Sequence, residues 1–464
     1  MLCGALLAAC GLQTEVPQAG IVSPMRFRAD PEAAAPASAP DVAWWRAFGS
    51  SELDRLMHAA MAQNLDIAVS VARLQQADAQ VRISGAALLP VVNADANVGR
   101  ARSNGRTADN VAGGRDIYSG TLNASWEIDF WGGNRAALAA AQSSASAARY
   151  AVGVTTLQIQ ASVANAYFAL IGAREQVAIQ RANIEVASRN LAILRQRLAV
   201  GTSTGLDVAQ QDTVVATQRA AVPQLQLVAD QNLFALATLT GMTPEQIDVA
   251  AARLGAIGVP AVQPGLPSEV LLRRPDVLLA EASLASASAS VTAARAALFP
   301  TISLTANGGL QSLAFRTLLN PGSAFYSIAA GLAAPIFDGG RRRAQLEASR
   351  GREAELLAGY RRAILSALQD TEASLSALQH NSELVGLQMA RVNAAQQAYN
   401  VAEAQFRAGT VDLLTVLTVQ TNLFLARNAL AQAQAARLQA AAGLFTALGG
   451  GWTADAVALA SANP

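Results

Sequence analysis

The sequence predicts an α+β membrane protein in which transmembrane β-strands continue into very long α-helices. Three observations support this fold class: an internal duplication, helical runs of more than sixty residues, and four short segments that alternate apolar and polar side chains. The composition agrees, because charged residues make up only 14% of the chain, against about a quarter in a typical soluble domain. The apolar fraction is 52% and is largely alanine, which suits closely packed long helices.

Charge and residue usage exclude several classes of function. The formal net charge is +1, so no overall field favours a nucleic acid or an acidic partner. The two cysteines, Cys3 and Cys10, lie at the N-terminus, and the two histidines, His58 and His380, have no metal-binding spacing. The chain contains no nucleophile motif and no phosphate-binding glycine loop. We therefore expect no catalytic residue, no metal site and no cofactor, and a protein that is not an enzyme.

The N-terminus resembles the signal of a bacterial lipoprotein, because an apolar run ends in Leu-Ala-Ala-Cys at Cys10. Residues 1–9 are then a residual signal peptide, and Cys10 is the acylated first residue of a lipidated, extended segment over 10–50. An ordinary signal peptide with a chance cysteine is the alternative. The apolar run departs from a secretory signal in two ways, because it is short and no lysine or arginine precedes it. By analogy with lipoprotein sorting, the glycine after Cys10 permits transfer to the outer membrane.

The body of the chain is a duplication. The sequence ALLP ending at Pro90 matches ALFP ending at Pro300, and the Gly-Thr pair at 201–202 matches the pair at 409–410. The order of the landmarks is kept, so we predict two copies of one large unit rather than a solenoid of short repeats. The expected boundaries are repeat 1 at 51–250, a linker at 251–267, repeat 2 at 268–448 and a C-terminal tail at 449–464.

Each repeat is predicted to contain a first helix, a very long helix and a returning helix. The expected ranges are 51–85, 134–199 and 205–240 in repeat 1, and 268–296, 341–408 and 412–447 in repeat 2. A helix of more than sixty residues spans about 100 Å, which no compact core requires. Leu191, Leu194 and Leu198 alternate steps of three and four residues, which predicts coiled-coil packing. A soluble coiled-coil scaffold without a pore is the alternative, and the predicted strands argue against it.

Four segments alternate apolar and polar residues over the length of a transmembrane β-strand. They are predicted at 91–98, 121–129, 301–307 and 327–336, with polar loops at 100–117 and 311–325 that face the outside of the cell. The alternation predicts lipid on one face and water on the other. Four strands cannot close a barrel, and open edges are not tolerated in hydrocarbon, so several copies must contribute strands. A transmembrane helix at 317–337 is disfavoured by its prolines and glycines.

Several motifs in a fixed order resemble the TolC-like outer-membrane factors, in particular their OprM/NodT-type lipoprotein branch. They are the duplicated unit, LAAC at the start, WWRAF at 44–48, DFWGG at 129–133 and IFDGGRRR at 336–343. The resemblance implies a homotrimer with a twelve-stranded transmembrane β-barrel continuous with a periplasmic α-helical barrel, in the outer membrane of a Gram-negative bacterium. The implied function is the exit duct of a tripartite efflux pump, which passively conducts small toxic compounds from an inner-membrane transporter. A duct for type I protein secretion is the alternative.

The resemblance also assigns roles near the two helix turns. A periplasmic adaptor protein contacts the hairpin tips in this family, and the matching residues are Val200, Gly201, Thr202, Ala408, Gly409 and Thr410. Glycines at such positions also end helices. The expected periplasmic aperture contains Asp207, Asp412, Thr415 and Thr418. The acidic ring positions of the family fall on Thr415 and Thr418, so the resemblance does not carry over a cation-selective ring.

Overall fold

The computed structural model describes residues 13–29, 41–103, 113–250, 253–260 and 266–453. The predicted signal peptide and Cys10 lie outside these ranges, as do parts of the predicted N-terminal segment, first outer loop, linker and tail. The helices and strands have the following bounds: α1 Ser51–Gln63, α2 Leu65–Ala86, β1 Val91–Ser103, β2 Gly113–Ile128, α3 Gly133–Ala199, α4 Gly205–Leu239, α5 Pro267–Arg273, α6 Pro275–Ala296, β3 Thr301–Ser312, β4 Ala324–Ala333, α7 Arg341–Arg407 and α8 Leu413–Ala447.

Two compact units make up the chain, and each combines segments of both predicted repeats. The strand unit comprises the described residues of Arg73–Ala148 and Leu279–Arg361, together with those from 13 to 20. The helical unit comprises the described residues of Ile21–Ala72 and Arg149–Leu278 and those from 362 to 453. The duplication is thus a feature of the sequence order, whereas tertiary packing groups the equivalent parts of both copies.

The strand unit contains one antiparallel sheet with the strand order β1-β2-β3-β4. On the side of the helices, the strands end within three residues of the predicted positions. On the far side, β1 continues to Ser103 and β2 begins at Gly113, beyond the predicted limits at 98 and 121. The ladder continues because backbone pairing does not depend on the polarity of the side chains. β4 ends at Ala333 rather than at 336, and Pro335 follows, which cannot donate a ladder hydrogen bond.

The change from helix to strand is built in the same way in both repeats. The amide of the residue before each proline, Pro90 or Pro300, donates to the carbonyl three residues back at 3.0 Å. Proline disfavours helical geometry in the residue before it, so the helix ends there and the strand begins at once. Trp131 braces the second junction, because its indole N–H donates to the Pro300 carbonyl at 2.7 Å and its ring stacks on Phe299 with 4.6 Å between centroids.

The first helix of each repeat is two helices, where the sequence predicted one. Asn64 separates α1 from α2, and its side-chain amide donates to the carbonyl of Leu239, the last residue of α4, at 2.9 Å. Arg274 separates α5 from α6 and donates to the carbonyl of Ala447, the last residue of α8, at 3.3 Å. Each break therefore supplies a polar side chain that satisfies the C-terminal end of a returning helix.

An aromatic cluster forms the core of the helical unit. Trp44 from the WWRAF segment is 1% exposed and stacks on Phe445 with 5.3 Å between ring centroids. Its indole N–H donates to Gln160 on α3 at 3.1 Å, and Gln160 donates to the Gly451 carbonyl at 2.8 Å. One tryptophan thus connects the N-terminal segment to α3, α8 and the chain that follows α8.

The coiled-coil spacing of α3 buries the side chains that it predicts, up to the last turn. Leu191 and Leu194 are 6% and 2% exposed, whereas Leu198 is 40% exposed. The apolar seam therefore ends one turn before the tip of the hairpin, and the last turn of the helix is open to solvent.

Candidate channel wall and helix tips

All four strands of the sheet place apolar side chains on the same face. Ile302 on β3 is paired with Ile128 on β2 and with Leu332 on β4. Other members of this outer face are Val92, Ala94, Ala96, Val98, Leu122, Ala124, Trp126, Leu304, Ala306, Ile328 and Ala330. The described chain leaves the face uncovered, since Ile328 and Leu332 are each 72% exposed.

The opposite, inner face of the sheet is polar. One row of paired residues crosses all four strands and contains Asn93, Asn123, Asn307 and Ser327. Nearer the helices, Glu127 is paired with Ser303. A sheet that is apolar outside and polar inside has the pattern of a transmembrane barrel wall around water.

The two edges of this wall are open. β1 and β4 are the outermost strands of the sheet, and within the described residues neither has a second partner strand. Each backbone N–H or C=O group that is left unpaired in hydrocarbon costs several kcal/mol. The wall is therefore incomplete in one chain and needs partner strands along both edges.

Aromatic side chains mark the end of the outer face nearest the helices. Phe337, four residues beyond the end of β4, is 91% exposed. Phe130 and Trp131 follow β2, and Trp131 is engaged with Phe299. Trp131 is thus a packing contact of the helix–strand junction.

The two hairpin tips share one backbone design. Gly201 and Gly409 have positive φ angles of 78° and 75°, which glycine adopts without strain. The amides of Gly201 and Thr202 donate back to carbonyls of α3 at 3.0 and 2.8 Å, and the second tip repeats both bonds at 3.1 and 3.0 Å. All six predicted tip residues are exposed.

The predicted aperture aspartates cap the returning helices. The Asp207 carboxylate accepts a hydrogen bond from the Thr204 amide at 2.8 Å, and the Asp207 amide donates to the Thr204 hydroxyl at 3.1 Å. In the second tip the residue types are exchanged, because Asp412 is the N-cap and accepts from the Thr415 amide at 2.9 Å. The Thr204 amide holds the pKa of Asp207 below its ordinary value, and the Thr415 hydroxyl does the same for the pKa of Asp412.

Within one chain, the four predicted aperture residues lie at two helix starts and are not joined into one cluster. Hydrogen bonds connect Asp412 with Thr415, whereas the Asp207 carboxylate is bonded within its own tip. The Thr418 hydroxyl donates to the carbonyl of Leu414 at 2.8 Å and is satisfied inside α8.

Sequence reasoning missed an apolar residue at each helix start. Leu206 is 67% exposed and Leu414 is 61% exposed, although leucine at the start of a packed helix is usually buried. The available signal was that Leu206 and Leu414 occupy matching places in the two repeats. With Val200, which is 74% exposed, they give the tips an apolar surface.

Comparisons with known proteins agree with this geometry. The outer membrane efflux protein family matches residues 56–242 and 266–450. The pyoverdine export outer membrane protein OpmQ of Pseudomonas aeruginosa is 41% identical, over 98% of this chain and 97% of that protein. OpmQ of Pseudomonas putida is 37% identical, over 97% of this chain and 96% of that protein.

A solved structure extends the agreement to the fold. The outer-membrane channel OprN is 28% identical and superposes with a TM-score of 0.88, over 95% of this chain and 99% of that chain. The predicted fold class, the resemblance to outer-membrane factors and the outer-membrane location in a Gram-negative bacterium are thereby confirmed. The chain belongs to the outer membrane efflux protein family.

Proposed function

We propose that three copies of this chain form one duct. The strands close a twelve-stranded barrel across the outer membrane, and the helical units line the periplasmic side. The observation that carries this proposal is the four-stranded sheet with two open edges, an apolar outer face and a polar inner face. As a member of its family the chain is an outer-membrane efflux channel, and the trimer supplies the partner strands that one copy lacks.

The adaptor protein of the pump contacts the hairpin tips in this proposal. Val200, Leu206 and Leu414 are exposed there, and burying one such side chain contributes about 1.5–3 kcal/mol. The backbone of both tips is fixed by glycine caps, so the apolar side chains are presented without a cost for ordering the turns. In this proposal, an adaptor that covers these residues uses that gain to displace the tips from a closed position.

The closed aperture is proposed at the starts of α4 and α8. Each chain contributes the carboxylates of Asp207 and Asp412, and the hydroxyls of Thr415 and Thr418 lie on the exposed face of α8. In this proposal transport is passive at the duct, since the energy comes from the inner-membrane transporter.

The proposed cargo is pyoverdine or a similarly polar exported metabolite. Both OpmQ proteins are named for pyoverdine export. The inner face of the sheet offers amide and hydroxyl groups at successive levels, which suits a polar cargo surrounded by water. The efflux relatives favour small-molecule export over the alternative of protein secretion.

We also keep the lipid anchor on Cys10 as a proposal. Acyl chains there bind a membrane surface, with about 0.8 kcal/mol for each buried CH₂. Metabolic labelling with palmitate tests it, and label that persists in a Cys10→Ala variant would exclude the assignment.

Two experiments test the duct. Electron microscopy and native mass spectrometry of the detergent-extracted protein should give a trimer with a continuous lumen, and a monomer without a barrel would overturn the architecture. Expression in Pseudomonas aeruginosa lacking OpmQ should restore pyoverdine in the medium, measured by mass spectrometry. Normal trimers without export would reject the cargo and leave the architecture in place.

A further inference from the structure

The outer face of the sheet ends in charged residues at the hairpin end of β1 and β2. Val98 and Tyr118 are the last apolar pair. The next pair on the same face, Arg100 and Asp116, forms an ion pair at 3.5 Å, and Arg102 follows two residues further along β1. Because alternate residues share a face, both arginines stand on the lipid side of the wall, just beyond the apolar band.

The loop between β3 and β4 lies against the same rim. The Phe315 ring meets the Tyr118 ring edge-on with 5.8 Å between centroids. The loop is folded, since the Ser312 and Thr317 hydroxyls are 2.6 Å apart and the Ser323 hydroxyl donates to the Thr317 carbonyl at 2.7 Å. Its shape is therefore defined although it lies outside the strands.

This loop combines apolar side chains with a positive charge. Leu313, Phe315 and Leu319 are 62%, 72% and 84% exposed, and Arg316 beside them is also exposed. Loops in water rarely expose three large apolar side chains together. Such a surface fits the boundary between acyl chains and charged headgroups, where apolar and cationic side chains are both satisfied.

Among the residues that the structure describes on this part of the outer face and in the β3–β4 loop, positive charges outnumber negative ones. Arg100, Arg102 and Arg316 are positive, and Asp116, which pairs with Arg100, is negative. Arg102 and Arg316 form no ion pair with any residue that the structure describes. Arginine binds phosphate oxygens through two parallel hydrogen bonds, so two unpaired arginines beside apolar side chains are suited to a phosphorylated lipid.

The position of the rim along the strands determines which leaflet of the membrane it contacts. The rim is at the hairpin end, opposite the proline junctions with the helices, and the helices of this family extend into the periplasm. The rim therefore lies in the outer leaflet, whose main lipid in a Gram-negative bacterium is lipopolysaccharide. Its lipid A part carries phosphates on a disaccharide above several acyl chains.

We infer that the rim formed by Arg102, Phe315, Arg316 and Leu319 binds lipid A of the outer leaflet. The two arginines bind its phosphates, and the apolar side chains contact its acyl chains. Asp116 holds Arg100 beside the site, so Arg100 adds positive charge without being needed as a ligand. This inference rests on the membrane location and is independent of the cargo proposed above.

The test measures lipid A retained on purified trimers after washing with EDTA, which removes bridging divalent cations. Mass spectrometry counts lipid A per protomer for the natural chain, for the double variant Arg102→Gln with Arg316→Gln, and for Arg391→Gln, an exposed arginine on α7. We expect the double variant to retain about tenfold less lipid A and the Arg391→Gln control to retain the normal amount. Equal retention in the double variant and the control would overturn the inference.

A second measurement uses the natural chain alone, so it remains decisive if the double variant does not assemble. Delipidated trimers are offered bisphosphorylated lipid A, the same lipid after phosphate removal, or cardiolipin. Preferential binding of the bisphosphorylated lipid A supports the site. Equal binding after phosphate removal excludes the role of the arginines, and equal binding of cardiolipin excludes selectivity for lipid A.

Discussion

Two neighbouring residues on β4 give a direct test of the channel wall. Ile328 is the middle one of the five outer-face positions of β4, which run from Ala324 to Leu332, and is 72% exposed, whereas Ser327 lies on the inner face. Arginine at Ile328 places a charge in the middle of the hydrocarbon band, at a cost of about 2–4 kcal/mol per side chain. In a trimer the three copies together cost about 6–12 kcal/mol. Arginine at Ser327 meets water and costs little.

The assay is the amount of heat-labile trimer in outer-membrane fractions, seen on gels without boiling. We expect Ile328→Arg to lose most of the trimer, Ile328→Leu to keep it, and Ser327→Arg to assemble normally. In planar bilayers, Ser327→Arg should shift ion selectivity towards anions, because it adds three positive charges to the lumen. Normal assembly of Ile328→Arg together with failure of Ser327→Arg would mean that the two faces have been assigned the wrong way round.

Other parts of the chain give further tests. Exchanging Thr204 and Asp207 (Thr204→Asp with Asp207→Thr) keeps a cap on α4 and moves the carboxylate by three residues. We expect unchanged thermal stability and an altered channel conductance. An unchanged conductance would mean that Asp207 is not part of the aperture. Gly309→Ala should prevent assembly, because its Cβ would overlap the backbone carbonyl oxygen of Gly120 on β2, and normal trimer yield would refute this close approach. Because the pKa of Asp412 is lowered, its cap on α8 is complete at neutral pH and is lost as the pH falls from about 4 through the lowered pKa. Amide-exchange protection factors at the start of α8 should fall with acid in the natural chain and stay low at every pH in Asp412→Ala.

The strands could be located from the sequence because every second residue of a transmembrane strand faces lipid and is apolar. Ile302 and Leu304 have to alternate with polar residues, and the register confirms that they share a face. The far ends of β1 and β2 escaped prediction because, beyond the Val98–Tyr118 pair, the outer face continues through arginine, aspartate and glycine, so the apolar alternation stops before the ladder does. Side-chain pattern thus locates the part of a strand that lies in the membrane, and backbone pairing extends beyond it.

The helix breaks at Asn64 and Arg274 show a different limit. Asn64 is surrounded by residues that suit a helix, and its role depends on the distant carbonyl of Leu239. For Arg274 a local signal existed, since Pro275 disfavours helical geometry in the residue before it. Aligning the two repeats places Asn64 opposite Arg274. The helix break that Pro275 indicates in repeat 2 therefore predicts a break at Asn64 in repeat 1.

At the two hairpin tips, the role of an aspartate carboxylate as a helix cap can be distinguished from a role in the aperture. Both returning helices need an acceptor for the free amides of their first turn, and Thr204 with Asp207 and Asp412 with Thr415 satisfy this need in opposite order. An aspartate at these places is therefore explained by helix capping, whatever passes through the duct. The Asp412 carboxylate caps α8 from the N-cap position, whereas Asp207 is the third residue of α4, and three residues span about 4.5 Å along a helix axis. The two tips therefore carry their charges at different positions along the returning helices, and a conductance change in the exchanged variant would report that difference.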